Sequence, residues 1–323
     1  MLVDGSALLH RAYHAYPPLT SKTGEIVGAV YGVASILISA LASVEPSHVM
    51  VAWDLPKPTF RHTKYVGYKA QRPKADEEMV QQIPKVKEII ASMGIVQVEQ
   101  EGYEADDIIG TLAQMATESS DHSPKIAQGS ELGDKVDVVI LTGDQDTMQL
   151  VSEEVRVLTP AKGANQSTLY GPDEVFNKYG VHPEQIVDYK ALIGDSSDNI
   201  PGVSGIGPTT ASKLLVEFGS LEAIYEALNH KSEIQNSKQI LNSKLIEKLI
   251  NGRESAFLSQ DLSRIVREMK IDVTLEEMEY RDLQGQALQE KLEELGFKSL
   301  VKRLFGETEE KKKANENQMG LFK

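Results

Sequence analysis

Val138-Val139-Ile140-Leu141-Thr142-Gly143-Asp144-Gln145-Asp146 is an apolar run that breaks at a glycine and lands on two carboxylates. A short continuous apolar run bounded by turn residues reads as a strand buried on both faces, here over Val136 to Leu141. Val49-Met50-Val51-Ala52-Trp53 followed by Asp54 has the same form, and Leu2-Val3 followed by Asp4 is a shorter version of it. Ile95 to Val98 and Val155 to Thr159 read as further strands, the latter as the final one. Helical periodicity marks Gly28 to Ala42, Asp76 to Met93 and Glu104 to Thr117, with a short helix over Asp146 to Val151. Strands alternating with helices predict an α/β fold with a mostly parallel central sheet flanked by helices. Ligands bind beyond the carboxyl ends of such strands, so Asp4, Asp54 and Asp144 are expected on one rim. From Pro172 to about Phe305 the pattern is helical, with turns at Gly180 and from Gly194 to Pro208. Glu118 to Lys135 is rich in Ser, Gly, Asp and Pro and reads as a surface loop. Glu307 to Asn317 reads as a polar tether.

The 323 residues contain no cysteine, which excludes disulfides, thiolate metal sites and cysteine nucleophiles and fits a reducing cytoplasm. No apolar stretch is long enough to span a bilayer. The formal charge of -14 is acidic for a phosphate-binding protein, but the charge is uneven. Leu55 to Lys74 holds six basic residues, Lys57, Arg61, Lys64, Lys69, Arg72 and Lys74, and no acid. An acidic total with one basic window suits a metal-using enzyme that acts on a phosphate polymer.

Nine acids stand out: Asp4, Asp54, Glu104, Asp106, Asp107, Asp144, Asp146, Asp195 and Asp198. Singly, each has an ordinary alternative. Asp4 can cap a helix, Glu104 to Asp107 suit the positive end of a helix, and Asp195 and Asp198 suit a turn. Gathered on one rim they would repel and raise one another's pKa values unless cations neutralised them. Oxygen ligands with no Cys, and no His beside them, suit Mg²⁺ or Mn²⁺. Two such ions about 3.5–4 Å apart are a recurring device for phosphodiester hydrolysis. A rival reading takes Asp144-Gln145-Asp146-Thr147 as the DxDxT motif of haloacid-dehalogenase-type phosphatases, with Asp144 as nucleophile.

Longer motifs carry a family resemblance. Leu2-Val3-Asp4-Gly5-Ser6 with His10-Arg11-Ala12-Tyr13-His14-Ala15 resembles the opening of the 5′-nuclease domain of bacterial DNA polymerase I. So do Trp53-Asp54, Thr59-Phe60-Arg61, Tyr68-Lys69-Ala70-Gln71-Arg72-Pro73, Gly102-Tyr103-Glu104-Ala105-Asp106-Asp107 and Thr142-Gly143-Asp144-Gln145-Asp146. The longest match is Ala191-Leu192-Ile193-Gly194-Asp195-Ser196-Ser197-Asp198-Asn199-Ile200-Pro201-Gly202-Val203. The resemblance spans roughly residues 1 to 305. It implies a PIN-like 5′-nuclease fold and a 5′→3′ exonuclease and flap endonuclease acting in replication and repair. In it Asp4, Asp54, Glu104, Asp106 and Asp107 surround a first Mg²⁺ or Mn²⁺, and Asp144, Asp146, Asp195 and Asp198 hold a second. A catalytically silent, structure-specific DNA-binding protein of the same fold is the alternative from another class.

The resemblance also implies an organisation. Residues 1–170 form the α/β catalytic domain, with a helical gateway at about 55–95. There Lys69 and Arg72 contact the scissile phosphate and Arg61 supports the phosphate-facing surface. Tyr13, outside the gateway, is a candidate for stacking on a terminal base, because an aromatic face accepts any base. Residues 171–305 form a helical DNA-binding region with a helix–three-turn–helix at about 194–217. Gly202, Gly205, Gly207, Thr209 and Lys213 there grip the duplex backbone, and main-chain carbonyls hold a K⁺ ion. Residues 306–323 form a tail whose Gln318-Met319-Gly320-Leu321-Phe322 resembles the peptide that docks on the bacterial sliding clamp, through Gln318, Leu321 and Phe322. The expected partner is branched, nicked or flapped DNA and the expected state is a cytoplasmic monomer. Family members carry more residues before the Leu-Val-Asp-Gly strand, so either the first strand is very short or the true start lies upstream. No proofreading or polymerase region follows Phe305, so a stand-alone nuclease or a fragment is expected.

Overall fold

Among the described residues six strands, β1 (Leu2–Asp4), β2 (Met50–Trp53), β3 (Val96–Glu99), β4 (Val138–Leu141), β5 (Val155–Thr159) and β6 (Thr168–Tyr170), form one sheet in the order β3-β2-β1-β4-β5-β6. The computed structural model describes residues 1–118, 137–160, 167–229, 241–281, 283 and 285–306. Most of the Glu118–Lys135 stretch and the whole of Gln318–Phe322 therefore lie outside the described residues. All neighbouring strands pair in parallel except β5 and β6. The strand order runs outward in both directions from β1, which places a topological switch point between β1 and β4. Leu2 lies opposite both Met50 and Ile140, so the carboxyl ends of β1, β2 and β4 come level and carry Asp4, Asp54 and Asp144 along one rim.

The apolar runs have no polar alternation because both sheet faces are covered. Leu2, Met50, Ala52 and Ile140 pack into one core with Ile108, Ile109 and Leu112. Val3, Val51, Trp53 and Leu141 point the other way, into a core with Leu8, Leu37 and Ile38. The first core continues into the helical region through Tyr189, Leu192, Leu214 and Leu249, so sheet and helices share one interior. Truncating a fully buried residue such as Leu37 to Ala would cost about 2–5 kcal/mol, from lost transfer energy and the cavity left behind.

The helices are α1 (Gly5–Ala15), α2 (Gly28–Val44), α3 (Phe60–Lys64), α4 (Glu77–Val80), α5 (Ile83–Ser92), α6 (Ala105–Thr117), α7 (Pro172–Tyr179), α8 (Ile186–Ile193), α9 (Pro208–Phe218) and α10 (Leu221–Asn229). Among the described residues four more follow, at Ser243–Asn251, Arg253–Ser263, Gln286–Glu294 and Lys298–Phe305. Among the described residues none is long and apolar enough to cross a membrane.

Two expectations are corrected. The helix expected over Asp76 to Met93 is two helices, because Pro84 has no N–H for the carbonyl one turn back. Gln82 fills the break: its side chain donates to the Glu78 carbonyl and accepts from the Ala29 amide. Val155 to Thr159 is not the last strand, since β6 adds an antiparallel edge too short to show a periodicity in the sequence.

A candidate metal and phosphate site

The β1 terminus starts the site. Asp4 ends the strand and caps α1, its Oδ1 accepting from the Ala7 amide at 2.8 Å, so the cap reading is correct as far as it goes. Its other oxygen accepts from the Thr142 hydroxyl at 2.8 Å, and Thr142 Oγ1 in turn accepts from the Asp144 amide at 3.0 Å. The buried Thr142 thus locks the ends of β1 and β4 together. Asp54 accepts from the Ala105 amide at 2.8 Å, which fixes the first turn of α6 against the end of β2. Glu104 caps that helix, and Asp106 lies in its first turn.

These acids share an electrostatic problem. Burial pushes the Asp4 carboxyl up to about 7, helped by the charges of Asp54 and Asp144. Burial also raises Asp106 well above the carboxylate range, with Asp144, Asp4, Asp54 and Glu104 adding to it. Asp106 Oδ1 is buried and has no hydrogen-bond partner. Burial raises Asp144 as well, though Lys190 pulls it back. Carboxylates in this state repel one another, and a multivalent cation is the group that relieves it.

A second acid group surrounds a lysine. Lys190 on α8 bonds Asp146 and, at 2.8 Å, Asp195. Burial alone would raise Asp195, but the Lys190 ammonium and two hydrogen bonds from Ser197 overcome it and hold the group at about 2. The loop carrying Asp195 and Asp198 is closed by reciprocal amide–carbonyl bonds between Asp195 and Ile200. Its two glycines are there for space and dihedral angle. Gly194 has φ +75° and Gly202 φ +63°, and a Cβ on Gly202 would lie 2.3 Å from the Gly194 nitrogen.

The basic window folds onto both groups. Lys69, itself at φ +53°, donates its amide to the Asp198 carbonyl, and Asn199 donates its side-chain amide to the Gly67 carbonyl. Lys69 Nζ bonds Glu104 at 2.7 Å, Arg72 bonds Asp198, and the Tyr68 hydroxyl bridges Glu104 at 3.0 Å and Asp198 at 3.2 Å. Burial opposes charge on Lys69 and Arg72, yet the neighbouring acids raise both above their usual values. Among the described residues no three His, Asp or Glu side chains stand ready-made to hold a metal ion. Glu104, Asp107, Asp146, Asp195 and Asp198 bond lysines or arginines instead.

Arg61 and Asp107 depart from expectation. Arg61 is 2% exposed and Asp107 0%, and they form a bidentate pair at 2.7 and 2.8 Å. Arg61 also donates to the carbonyls of Leu262 and Arg264, and Asp107 accepts from the amides of Glu104 and Val266. A guanidinium with every side occupied has no face for DNA, so Arg61 is a clamp between α6 and the segment after Ser263. The window as a whole is less free than its sequence suggests, since Lys57 pairs with Glu101 and Lys64 with Asp261.

Tyr13 is partly exposed on α1, edge-on to His14, and burial together with the nearby Asp76 carboxylate raises its phenol above the usual value. In the helical region Gly207 caps α9, and Thr209 and Lys213 are exposed on its first two turns. Sequence reasoning gave no role to Lys190, Tyr68 or Thr142. Lys190 offered a signal, the one cation of α8, five residues before Asp195.

Two family models cover most of the chain: a 5′-3′ exonuclease N-terminal, resolvase-like domain over residues 1–180, and a 5′-3′ exonuclease C-terminal SAM fold over residues 181–286. DNA polymerase I of Bacillus subtilis is 38% identical over 304 residues, which is 94% of this chain and 32% of the polymerase. The chain thus spans about a third of the length of the curated relatives it matches. Among solved structures, a bacteriophage T5 flap endonuclease in a pseudo-enzyme–product complex with DNA and metal ions is similar at TM-score 0.62 and 20% identity, over 94% of this chain and 97% of that one. T5 5′-exonuclease with bound zinc ions is similar at TM-score 0.62 and 22% identity, over 91% and 97%. At such identities these two structures speak for the fold alone.

Proposed function

The chain belongs to the 5′-3′ exonuclease family, and from that premise we propose that it hydrolyses phosphodiester bonds at the 5′ ends and flaps of branched or nicked DNA, RNA primers included, with two Mg²⁺ or Mn²⁺ ions. The DxDxT phosphatase reading lapses with that membership. The observation that carries the proposal is the buried, unpartnered Asp106 Oδ1 among acids that raise one another's pKa.

The donor set is all oxygen and fits hard divalent ions. Asp4, Asp54, Glu104 and Asp106 would hold the first ion, and Asp144, Asp146, Asp195 and Asp198 the second. Asp107 is left out of the first set because Arg61 takes both its oxygens. When bound, such ions acidify water and neutralise charge on a phosphate.

The chain's own residues do the rest. Lys69 and Arg72 exchange their carboxylate partners for the scissile phosphate and stabilise the charge that develops on it. Lys190 keeps Asp146 and Asp195 together, and holds Asp195 ionised, until a cation arrives. Tyr13 offers a flat face to a terminal base of any identity. The Gly202–Gly207 turn and the start of α9 hold backbone phosphates of the duplex, which gives position without base specificity. The protein works as a monomer in the cytoplasm, and Gln318, Leu321 and Phe322 tether it to the sliding clamp.

A 5′-labelled flap duplex incubated with Mg²⁺, with EDTA, and with the Asp144→Asn variant tests the reading. Cutting confined to wild type with Mg²⁺ supports it; cutting in EDTA, or none by wild type in either Mg²⁺ or Mn²⁺, overturns it.

A further inference from the structure

The resemblance to the 5′-nuclease domain implies a K⁺ ion held by main-chain carbonyls of the turn before α9. The carbonyls of this turn are largely committed already. Gly202 O accepts from the Ser255 hydroxyl at 2.7 Å, and Val203 O accepts from the Ile206 amide at 3.0 Å. Gly205 O accepts from Lys248 Nζ at 2.8 Å. Lys248 belongs to the helix Ser243–Asn251, so an ammonium from another element lies on the turn where a monovalent cation is expected. Gly205 makes room for it: at φ +77°, its Cβ would fall 2.7 Å from Nζ and 3.0 Å from Cε. This donor set does not fit a second cation, because placing K⁺ beside an ammonium sets two like charges on the same carbonyls.

We propose that the Lys248 ammonium is the resident cation of this turn and offers its charge to a backbone phosphate of the duplex, so that duplex binding needs no K⁺. The side chain is exposed, and Gly205 O is the one acceptor its ammonium has among the described residues. An ammonium carries three donors, so two remain for phosphate oxygens. Exposed Thr209 and Lys213, four residues apart, share one face of α9 just after the turn. The inference rests on the reading that this turn docks the duplex. It adds that the cation there is covalent and permanent, and that it comes from a helix more than 35 residues downstream of the turn.

The test is duplex binding by the full chain, followed by fluorescence anisotropy of a labelled nicked duplex. EDTA prevents cutting, and KCl is compared with tetramethylammonium chloride at equal ionic strength. Wild type is expected to bind within about twofold in the two salts, while Lys248→Met binds about tenfold more weakly in tetramethylammonium, the loss of one charge-assisted phosphate contact. K⁺ is expected to restore part of the variant's affinity. Lys213→Ala separates the layers, and it is expected to weaken binding equally in both salts. If Lys213→Ala weakens binding while Lys248→Met matches wild type, or if wild type itself gains severalfold from K⁺, the lysine is not the resident cation and only this inference falls. If Lys213→Ala and Lys248→Met both bind as wild type, the turn does not dock the duplex and both readings fall. Unchanged circular dichroism of Lys248→Met confirms that the exposed substitution leaves the fold in place.

Discussion

Asp107→Ala is the substitution on which a clamp and a metal ligand behave most differently. The change leaves the Arg61 guanidinium 2% exposed with its bidentate partner gone. Glu104 at 3.3 Å becomes its counter-charge, and the carbonyls of Leu262 and Arg264 continue to accept from it. Breaking a buried ion pair from one side costs about 3–5 kcal/mol, and the residual partners place this case near 3. The Glu104 and Val266 amides also lose their acceptor, adding roughly 1 kcal/mol for the helix cap. A loss of about 4 kcal/mol is a large share of the 5–15 kcal/mol that holds a typical domain. With a urea dependence of about 3 kcal/mol per molar, the unfolding midpoint drops by more than 1 M. Trp53, the single tryptophan and 3% exposed, reports the transition by its emission. Arg61→Met combined with Asp107→Ala should recover most of the loss, because no buried charge is then left alone. A midpoint within about 0.3 M of wild type would refute the clamp. A variant that is stable but loses Mg²⁺ affinity would return Asp107 to the metal set.

Lys69→Ala and Arg72→Ala should each lower the single-turnover cleavage rate of a flap about 100-fold, with duplex affinity changed only severalfold, since their partner in the reaction is the developing charge. Equal losses in rate and affinity would make them docking residues. Asp4 gives a pH prediction. Its folded value of about 7 against the usual 3.8 means the folded chain binds more protons than the unfolded chain between pH 4 and 7. Stability without metal therefore falls as pH rises through that window. Mg²⁺ competes with that proton, so it should raise the melting temperature more at pH 8 than at pH 6; an equal rise at both would contradict it.

The strands and the rim were legible because burial on both faces writes a continuous apolar run, and β1 ends on an acid while β2 and β4 reach one within three residues. The break at Pro84 was legible in principle, from the missing N–H, though the surrounding periodicity masked it. Arg61 could not be read from its neighbours: its partners lie 46 residues away at Asp107 and about 200 away at Leu262 and Arg264. A basic window in sequence says where charge is, and not which acids fold onto it. Tyr68 was hidden for the same reason, since it gains its meaning from carboxylates on other elements, whereas Lys190 was signalled beside Asp195 and only its second partner, Asp146, lies 44 residues away. The Lys248 contact crosses from one helix to a turn 43 residues earlier, with no local pattern to announce it.

The central claim is that the rim acids are a site for divalent cations. Calorimetric titration of Mn²⁺ into wild type and into Asp106→Asn, without DNA, addresses it directly. Saturable binding by wild type that weakens at least tenfold in Asp106→Asn, whose unpartnered oxygen then carries no charge, is the predicted result. Equal Mn²⁺ binding by the two proteins, or none by either, would contradict the account.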